Sequence, residues 1–400
     1  MNRIVIVGGS AGGLATAEGL RRAGYAGVIT LVGQEPHPPY DRPPLSKQIL
    51  TGQWGPDRLT LRGKEELHSL SLDLRLGVPA IGLDLSGGSV ALADGAEVPY
   101  DALVIATGVR PRHLPGSEVV PGVHTLRTLD DAVSLKARLL PGRRLVIVGA
   151  GFVGAEVAAV ATGLGVKVTL LEAGPLPLAQ ALGEQAGHVL AEIHRGHGVD
   201  LRTHAAVAEI VSAGGAVTGV RLADDTVLPA DDVLVAIGSV PNTEWLGGSG
   251  LSAGDGLVCD EFSAAAPSVY GVGDVARWHN PLFDTAMRIE HRTNAAEQGL
   301  AVAHNLLHPQ ARRPFAPVPY FWSDQYGMKI QAYGHLRDHD EARILESNLA
   351  ERRLLIAYRT GDRVAGVLAV GMSPKILRAW RALIAARTPW ATAITDTTAA

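Results

Sequence analysis

The stretch Arg144–Leu–Val–Ile–Val–Gly149–Ala–Gly151–Phe–Val–Gly154 decides the fold of this 400-residue chain. Five β-favouring residues run directly into a G-x-G-x-x-G turn that fits the pattern without exception. The first glycine allows the tight turn, the second lets the backbone approach a pyrophosphate, and the third lets a helix pack against the strand. The stretch therefore predicts a strand–turn–helix unit whose helix N-terminus holds a dinucleotide.

An acidic residue follows this turn at the spacing of a ribose-binding carboxylate. Glu172 ends the next β-type run, about 20 residues after Gly151. A carboxylate there can accept a hydrogen bond from a ribose 2′-OH and would repel a 2′-phosphate, so the sequence favours NADH over NADPH. The predicted NAD contacts are Gly149, Gly151, Phe152, Val153, Gly154, Glu172, Ile237 and Gly238.

The same arrangement occurs a second time, at the start of the chain. Arg3–Ile–Val–Ile–Val7 leads into Gly8–Gly–Ser10–Ala11–Gly12–Gly13, where the small Ser10 stands in place of the second glycine. Glu35 follows as the corresponding ribose acid. Two dinucleotide sites in one chain indicate a flavin and a nicotinamide, because a hydride needs an acceptor.

Continuous apolar strands complete each copy. Asp101–Ala–Leu–Val–Ile–Ala–Thr–Gly108 is echoed by Asp232–Val–Leu–Val–Ala–Ile–Gly238, and Val269–Tyr–Gly–Val–Gly–Asp274 is interpreted as a last strand of the first copy. We predict an α/β protein with two Rossmann-like domains and a C-terminal α+β domain. The expected domains are 1–109 with 241–316 for FAD, 110–240 for NAD, and 317–400 at the C-terminus.

Composition excludes several other classes. The formal net charge of −4 argues against a nucleic-acid-binding protein, and no run of about 18 uncharged apolar residues predicts a membrane span. The glycines at 8, 9, 12 and 13 interrupt the apolar N-terminus and argue against a signal peptide. Cys259 is the one cysteine, so a disulfide framework within the chain is impossible and a cytoplasmic location is expected.

Two further motifs are given other interpretations. Gly8 through Ser10 to Gly12 also fits the G-x-S-x-G elbow of hydrolases, but too few residues precede it to supply an oxyanion loop. His194–x–x–His197 and His335–x–x–x–His339 have helical spacing without a completing set of ligands, so no metal site is predicted.

Seven further motifs occur in order along essentially the whole chain. They are Pro39–Tyr–Asp–Arg–Pro–Pro–Leu–Ser–Lys47, Ala106–Thr–Gly108, Leu126–Arg–Thr–Leu–Asp–Asp131, Gly149 to Glu156, Pro241–Asn–Thr–Glu244, Gly271–Val–Gly–Asp274 and Phe321–Trp–Ser–Asp–Gln–Tyr326. Together these motifs resemble the FAD-dependent ferredoxin reductases of bacterial cytochrome P450 and Rieske oxygenase systems. The resemblance implies FAD, NADH and a [2Fe-2S] ferredoxin partner.

The resemblance also implies roles for matching residues. Lys47 and Glu156 would meet near flavin N5, where a lysine favours the anionic reduced flavin and a carboxylate limits the cost of burying its charge. Alternatively, Lys47 is a surface lysine, Glu156 a first-turn acid that interacts with the helix dipole, and Trp322 a core aromatic. The implied FAD contacts are Gly8, Ser10, Ala11, Gly12, Gly13, Glu35, Arg42, Lys47, Ala106, Thr107, Gly108, Arg127, Gly273, Asp274 and Trp322.

A helix is expected to start within Arg288 to Glu297. Asn294 and Glu297 have the spacing of a capping box. In the family that the chain resembles, this helix directs its N-terminus at the flavin, and one position often carries an aromatic residue. This chain departs from the family pattern there, because the position carries Arg292.

The sequence leaves the electron acceptor open. Disulfide reductases of the same plan need a redox cysteine pair, and Cys259 offers neither a pair nor the right position. A redox sensor that binds FAD and NADH, or an NADH oxidase that uses dioxygen, remain alternatives. Basic residues of the predicted C-terminal helix, Lys375, Arg378, Arg381 and Arg387, could steer an acidic ferredoxin or simply form a solvated face.

Overall fold

The computed structural model describes residues 1–348 and 350–397. The chain forms two compact units, each built from several segments. The first unit comprises Met1–Asp41, Asp57–Arg110 and Val240–Pro319, and the second comprises Arg42–Pro56, Pro111–Ser239 and Tyr320–Ala400. Two short strands, Val109–Pro111 and Ser239–Pro241, lie where the chain passes from one unit to the other.

A six-stranded sheet forms the centre of the first unit. Its strands, in spatial order, are Ala264–Ala266, Val269–Gly271, Ala102–Ile105, Arg3–Val7, Val28–Gly33 and Asp73–Leu76. All neighbours pair in parallel except the first two. The strand predicted from Val269 thus lies in the same sheet as the N-terminal strand, although about 160 residues of chain separate it from the neighbouring Ala102–Ile105.

Helices and smaller sheets complete the first unit. Helices Ala11–Arg22 and Arg292–Leu307 pack closely, since a Cβ added at Gly299 would lie 2.6 Å from the carbonyl oxygen of Gly12. The remaining elements are helix Lys64–Ser69, an antiparallel sheet of Ala80–Asp84, Ser89–Leu92 and Glu97–Pro99, and a sheet of Ala253–Gly254, Gly256–Cys259, Ala276–Asn280 and Thr285–Arg288.

A second parallel sheet lies in the second unit. Its order is Asp200–Arg202, Lys167–Leu171, Arg144–Val148, Asp232–Val235 and Val123–His124, and every pairing is parallel. Its strands are buried on both faces, which explains why they carry continuous apolar runs. Around it lie helices Leu129–Lys136, Phe152–Gly163, Ala179–Leu182 and Glu184–Gly196, and an antiparallel sheet of Val207–Ala213, Ala216–Leu222 and Val227–Pro229.

An antiparallel sheet and two helices form the C-terminal part of the second unit. The sheet order is Tyr320–Gln325, Met328–Gly334, Arg363–Val370, Arg353–Thr360 and Glu341–Asn348, followed in the chain by helices Pro374–Ala385 and Trp390–Thr397. Alternating β-type residues at 329–333, 354–358 and 363–370 predict three strands here, and the structure confirms all three. Arg387, however, lies beyond the first helix, in a left-handed conformation with φ of 53°, and the prediction that it shares that helix was wrong.

Candidate functional site

The second glycine turn has two packed glycines and one that faces open space. A Cβ on Gly149 would lie 2.4 Å from the oxygen of Ala236, and one on Gly154 would lie 2.0 Å from the oxygen of Gly149. A Cβ on Gly151 would meet nothing within 4 Å, and Gly151 is the N-cap of helix Phe152–Gly163. The turn therefore leaves a gap at a helix N-terminus, which fits a pyrophosphate.

The N-terminal turn repeats this geometry. A Cβ on Gly8 would lie 2.0 Å from the oxygen of Ala106, and one on Gly13 would lie 2.0 Å from the oxygen of Gly8. Ser10 is the N-cap of helix Ala11–Arg22, yet its side chain makes no capping hydrogen bond. Neither this helix nor helix Phe152–Gly163 has an acid in its first turn, so both N-termini suit an anion.

Each predicted ribose acid is held in place by local donors. Glu172 accepts hydrogen bonds from the backbone N–H of Ala150 at 3.1 Å and of Gly174 at 2.8 Å, which places its carboxylate beside the glycine turn. Glu35 accepts a hydrogen bond from the Tyr40 hydroxyl in the first unit. Both carboxylates are thus oriented by neighbouring donors.

The other predicted NAD contacts surround the second turn. Phe152 packs edge-on against Phe321, with ring centres 4.8 Å apart. Val153, the next residue of the helix, is exposed. Gly238 has φ of 97°, which only glycine adopts without strain, and Ile237 lies against Gly149. These residues form one edge of the parallel sheet, at the carboxyl ends of its strands.

Two further turns lie beside the N-terminal glycine turn. Thr107, between Ala106 and Gly108, donates its hydroxyl to the Asn242 carbonyl at 2.8 Å, and the Asn242 amide donates back to the Thr107 carbonyl at 2.9 Å. The Gly273 N–H donates to Gln298 Oε1 at 2.8 Å, and this fixes the turn that carries Asp274. We find the predicted FAD residues of the first unit assembled around one sheet edge.

The helix next to this edge starts within the predicted segment, but before the predicted capping residue. Thr285–Arg288 is a strand, the helix runs over Arg292–Leu307, and its N-cap is His291. The expected capping role of Asn294 was therefore wrong. Asn294 is instead 3% exposed, and neither of its side-chain amide atoms has a hydrogen-bond partner among the described residues. A buried amide without partners beside Ala295, which contacts Gly12 and Gly273, fits a polar ligand at this edge.

Arg292 is the first residue of this helix and forms an ion pair. Its Nε lies 2.6 Å from Asp41 Oδ1, and both side chains are partly exposed. A cation at a helix N-terminus opposes the helix dipole, and Asp41 offsets that cost. In the family that the chain resembles, this position is often aromatic. Here it carries Arg292, whose charge is paired with that of Asp41.

Lys47 and Glu156 form a buried ion pair in the second unit. Lys47 Nζ lies 2.7 Å from Glu156 Oε2, and about nine-tenths of each side chain is buried. Lys47 belongs to a π-helical turn, Leu45–Ile49, and also donates to the Pro43 carbonyl at 3.1 Å. Turns of this kind are rare and concentrate at functional sites. Lys47 is therefore no surface lysine, and Glu156 lies beyond the first turn of its helix.

Three polar residues that were given no role surround this pair. Ser46 donates to Glu156 Oε2, and Ser323 donates to Glu156 Oε1 at 2.7 Å. Gln325 donates to the Ser323 hydroxyl at 3.1 Å. The one signal in the sequence was the polar Ser323 and Gln325 at alternate positions of a strand that begins with three aromatic residues, because alternate residues share one face.

The remaining predicted flavin contacts of the second unit are partly exposed. Arg42 donates to the Arg127 carbonyl at 2.6 Å, and the Arg127 N–H donates to Asp131 at 2.9 Å. Trp322 stacks on Tyr320 with ring centres 6.0 Å apart, and Trp322 is partly exposed. The three side chains therefore retain surface for a ligand.

Thiol and metal chemistry find no support among residues 1–348 and 350–397. Cys259 is buried, and burial raises the pKa of its thiol to about 12, so that it stays protonated. No group of three His, Cys, Asp or Glu residues in the described part of the chain could hold a metal ion. No described helix is long and apolar enough to cross a membrane.

Comparison with known protein families identifies the class of the chain. Residues 2–299 match the model of the pyridine nucleotide-disulphide oxidoreductases, and residues 320–399 match a reductase C-terminal domain. The chain belongs to the pyridine nucleotide-disulphide oxidoreductase family. It is therefore an oxidoreductase that uses FAD and a nicotinamide dinucleotide, as the two glycine turns predicted. The disulphide in the family name has no counterpart here, since Cys259 is the single cysteine.

Individual members of this family show the same plan. The chain is 39% identical over 343 residues to a probable ferredoxin reductase, CtmF, of Castellaniella defragrans, covering 85% of this chain and 83% of the relative. It is 37% identical over 336 residues to the ferredoxin–NAD(+) reductase component of a p-cumate 2,3-dioxygenase system of Pseudomonas putida, covering 84% and 81%. The reductase of a covalent putidaredoxin reductase–putidaredoxin complex superposes with a TM-score of 0.92 at 35% identity, covering 97% and 94%.

Proposed function

We propose that this oxidoreductase takes a hydride from NADH onto FAD and passes the electrons singly to a [2Fe-2S] ferredoxin. The ferredoxin would serve a cytochrome P450 or a Rieske oxygenase. The observation that carries the proposal is the pair of matching glycine turns, one in each unit, each with an open helix N-terminus and an acid beside it. The reductase names of the similar proteins support the same acceptor.

The chain's own residues bind and orient rather than react. The N-terminal turn with Glu35 and Asp274 would hold FAD, and the turn at Gly149 with Glu172 would hold NADH. Glu172 favours NADH, because its carboxylate is fixed where a 2′-phosphate would be repelled. Bound FAD would supply the conversion from a two-electron donor to single electrons.

The Lys47–Glu156 pair is proposed to act on the flavin ring. A buried ammonium favours negative charge on a reduced flavin, and the carboxylate keeps that ammonium in one place. No general base is needed, because hydride transfer depends on proximity and electrostatics.

NADH is a cytoplasmic reductant, and we place the protein in the cytoplasm for that reason.

Helix Pro374–Ala385 is proposed to contribute to ferredoxin docking. It buries Leu377, Trp380 and Ile384, while Arg378 and Arg381 are exposed. Within the described part of the chain neither arginine forms an ion pair, so both charges are available to an acidic partner. Charge of this kind mainly raises the association rate.

Steady-state turnover with and without a ferredoxin tests the acceptor. We expect NADH-dependent reduction of cytochrome c to need added [2Fe-2S] ferredoxin, with little oxygen consumption in its absence. Rapid oxygen consumption without a carrier would show an NADH oxidase. Slow reduction by NADH that yields a long-lived charge-transfer complex, with no ferredoxin turnover, would show a redox sensor.

A further inference from the structure

The two oxygens of Glu156 have different partners. Lys47 occupies Oε2, and Ser323 donates to Oε1 at 2.7 Å. Ser323 is fully buried, in the strand Tyr320–Gln325. Lys47 already balances the carboxylate charge, so the effect of Ser323 is to fix the rotation of the carboxylate.

The direction of the Ser323 hydroxyl is itself fixed by Gln325. Gln325 Nε2 donates to Ser323 Oγ at 3.1 Å, and Gln325 is 1% exposed. A serine hydroxyl has one hydrogen to donate. Gln325 donates to the oxygen of the Ser323 hydroxyl, so the hydrogen of that hydroxyl remains free to donate to Glu156 Oε1.

His194 is a buried neighbour of Gln325. His194 Nε2 and Gln325 Oε1 are both buried, and neither has a hydrogen-bond partner among the described residues. His194 Nδ1 lies 2.7 Å from the Tyr326 hydroxyl.

Burial, with a contribution from nearby His197, lowers the pKa of His194 to about 4, so the ring is neutral near pH 7. The neutral ring therefore places no positive charge beside Gln325.

We propose that Ser323, supported by Gln325, is a positioning residue for the Lys47–Glu156 pair. The inference rests on the proposed function of that pair. Without the hydroxyl, Glu156 Oε1 loses its donor and the carboxylate can rotate, so the Lys47 ammonium is held less firmly, by its contacts to Pro43 and Ser46. Ser323 is fully buried and is not among the predicted NADH contacts, so we expect the rate of hydride transfer to change and the affinity to stay the same.

Variants of Ser323 test this in the holoprotein by stopped-flow reduction with NADH. We expect Ser323→Ala to lower the limiting rate of flavin reduction about ten-fold, the size of losing one hydrogen bond to a charged group, with an unchanged apparent Kd for NADH. Gln325→Leu should lower the rate in the same way. Ser323→Thr keeps the hydroxyl and should restore most of the rate. A wild-type rate in Ser323→Ala, or no advantage of Ser323→Thr over it, would overturn the proposal.

Chemical labelling of Lys47 gives a readout without turnover. In the oxidised protein, acylation of Lys47 followed by peptide mass spectrometry should be several-fold faster in Ser323→Ala than in the wild type. Exposed Lys64 should label equally in both proteins and serves as the internal reference. Equal Lys47 labelling would overturn the positioning role. A wild-type protein that NADH does not reduce would instead overturn the proposed function, whatever the labelling shows.

Discussion

Lys47 Nζ and Glu156 Oε2 lie 2.7 Å apart in the interior of the second unit, although 109 residues separate them in the chain. The contact joins a π-helical turn to the helix that begins at the second glycine turn. A single change in the glycine turn or in the Lys47 turn therefore acts on the same charge pair.

Breaking this pair should cost stability as well as rate. Lys47→Met leaves Glu156 buried without its cation, and we expect a loss of roughly 3–5 kcal/mol in the free energy of unfolding. Urea denaturation measures it. The double variant Lys47→Met/Glu156→Leu should recover much of the stability but none of the rate of reduction by NADH. A double variant as unstable as the single one would contradict this account of the pair.

The glycines of the second turn should respond differently to alanine. Gly154→Ala places a Cβ 2.0 Å from a carbonyl oxygen and should destabilise the protein by about 3 kcal/mol. Gly151→Ala meets open space at φ of −74°, so stability should change by less than about 0.5 kcal/mol. We expect its effect to be weaker NADH binding, measured by titration. Unchanged NADH affinity in Gly151→Ala would show that the pyrophosphate does not lie there.

Glu172 should determine the preference for NADH. Glu172→Gln keeps the shape of the side chain but removes the charge that would repel a 2′-phosphate. We expect the ratio of kcat/KM for NADH over NADPH to fall about ten-fold, as for the loss of one charged hydrogen bond. Steady-state kinetics with both dinucleotides measure it. An unchanged ratio would place the ribose elsewhere.

Strand positions were predictable because each depends on a local pattern. Arg3–Val7 and Arg144–Val148 lie where their apolar runs predicted, since a glycine turn ends each one. The start of helix Arg292–Leu307 was not predictable in this way. The capping pattern at Asn294 predicted a first helical residue after it, but the helix begins at Arg292. Arg292 pairs there with Asp41, 251 residues away in the chain, and no local pattern shows such a contact.

The contacts behind Glu156 could not be read from the sequence. Ser323 is 167 residues from Glu156, and a serine in a strand gives no local sign of its partner. In the sequence, His194 is only one of two histidines at helical spacing. The tertiary structure places it beside Tyr326. Buried polar contacts between distant segments depend on packing, which residue patterns do not encode.

His194 should make stability depend on pH. Its folded pKa of about 4 lies below the ordinary value of 6.5, so the unfolded chain binds more protons between these values. The contribution is complete above pH 6.5 and declines as the pH falls, by about 2 kcal/mol between pH 7 and pH 5. Urea denaturation of the wild type and of His194→Gln at both pH values isolates it. If the wild type and His194→Gln lose the same free energy of unfolding between pH 7 and pH 5, His194 is not the source of this pH dependence.

Charge reversal tests docking on helix Pro374–Ala385. Arg378→Glu/Arg381→Glu should reduce ferredoxin-dependent turnover at least about ten-fold at low salt, while reduction of ferricyanide by NADH stays unchanged. The control is Arg22→Glu/Lys64→Glu, an equal reversal on exposed residues of the first unit. Equal loss in both double variants, or loss of the ferricyanide activity, would argue against docking at this helix.

The most direct test of the central claim is an anaerobic titration of the purified protein with NADH, followed by absorbance. The account predicts a flavin band that bleaches with about one equivalent of NADH per bound FAD. A protein without a flavin band, or one whose band does not respond to NADH, would contradict the assignment of the two glycine turns to FAD and NADH.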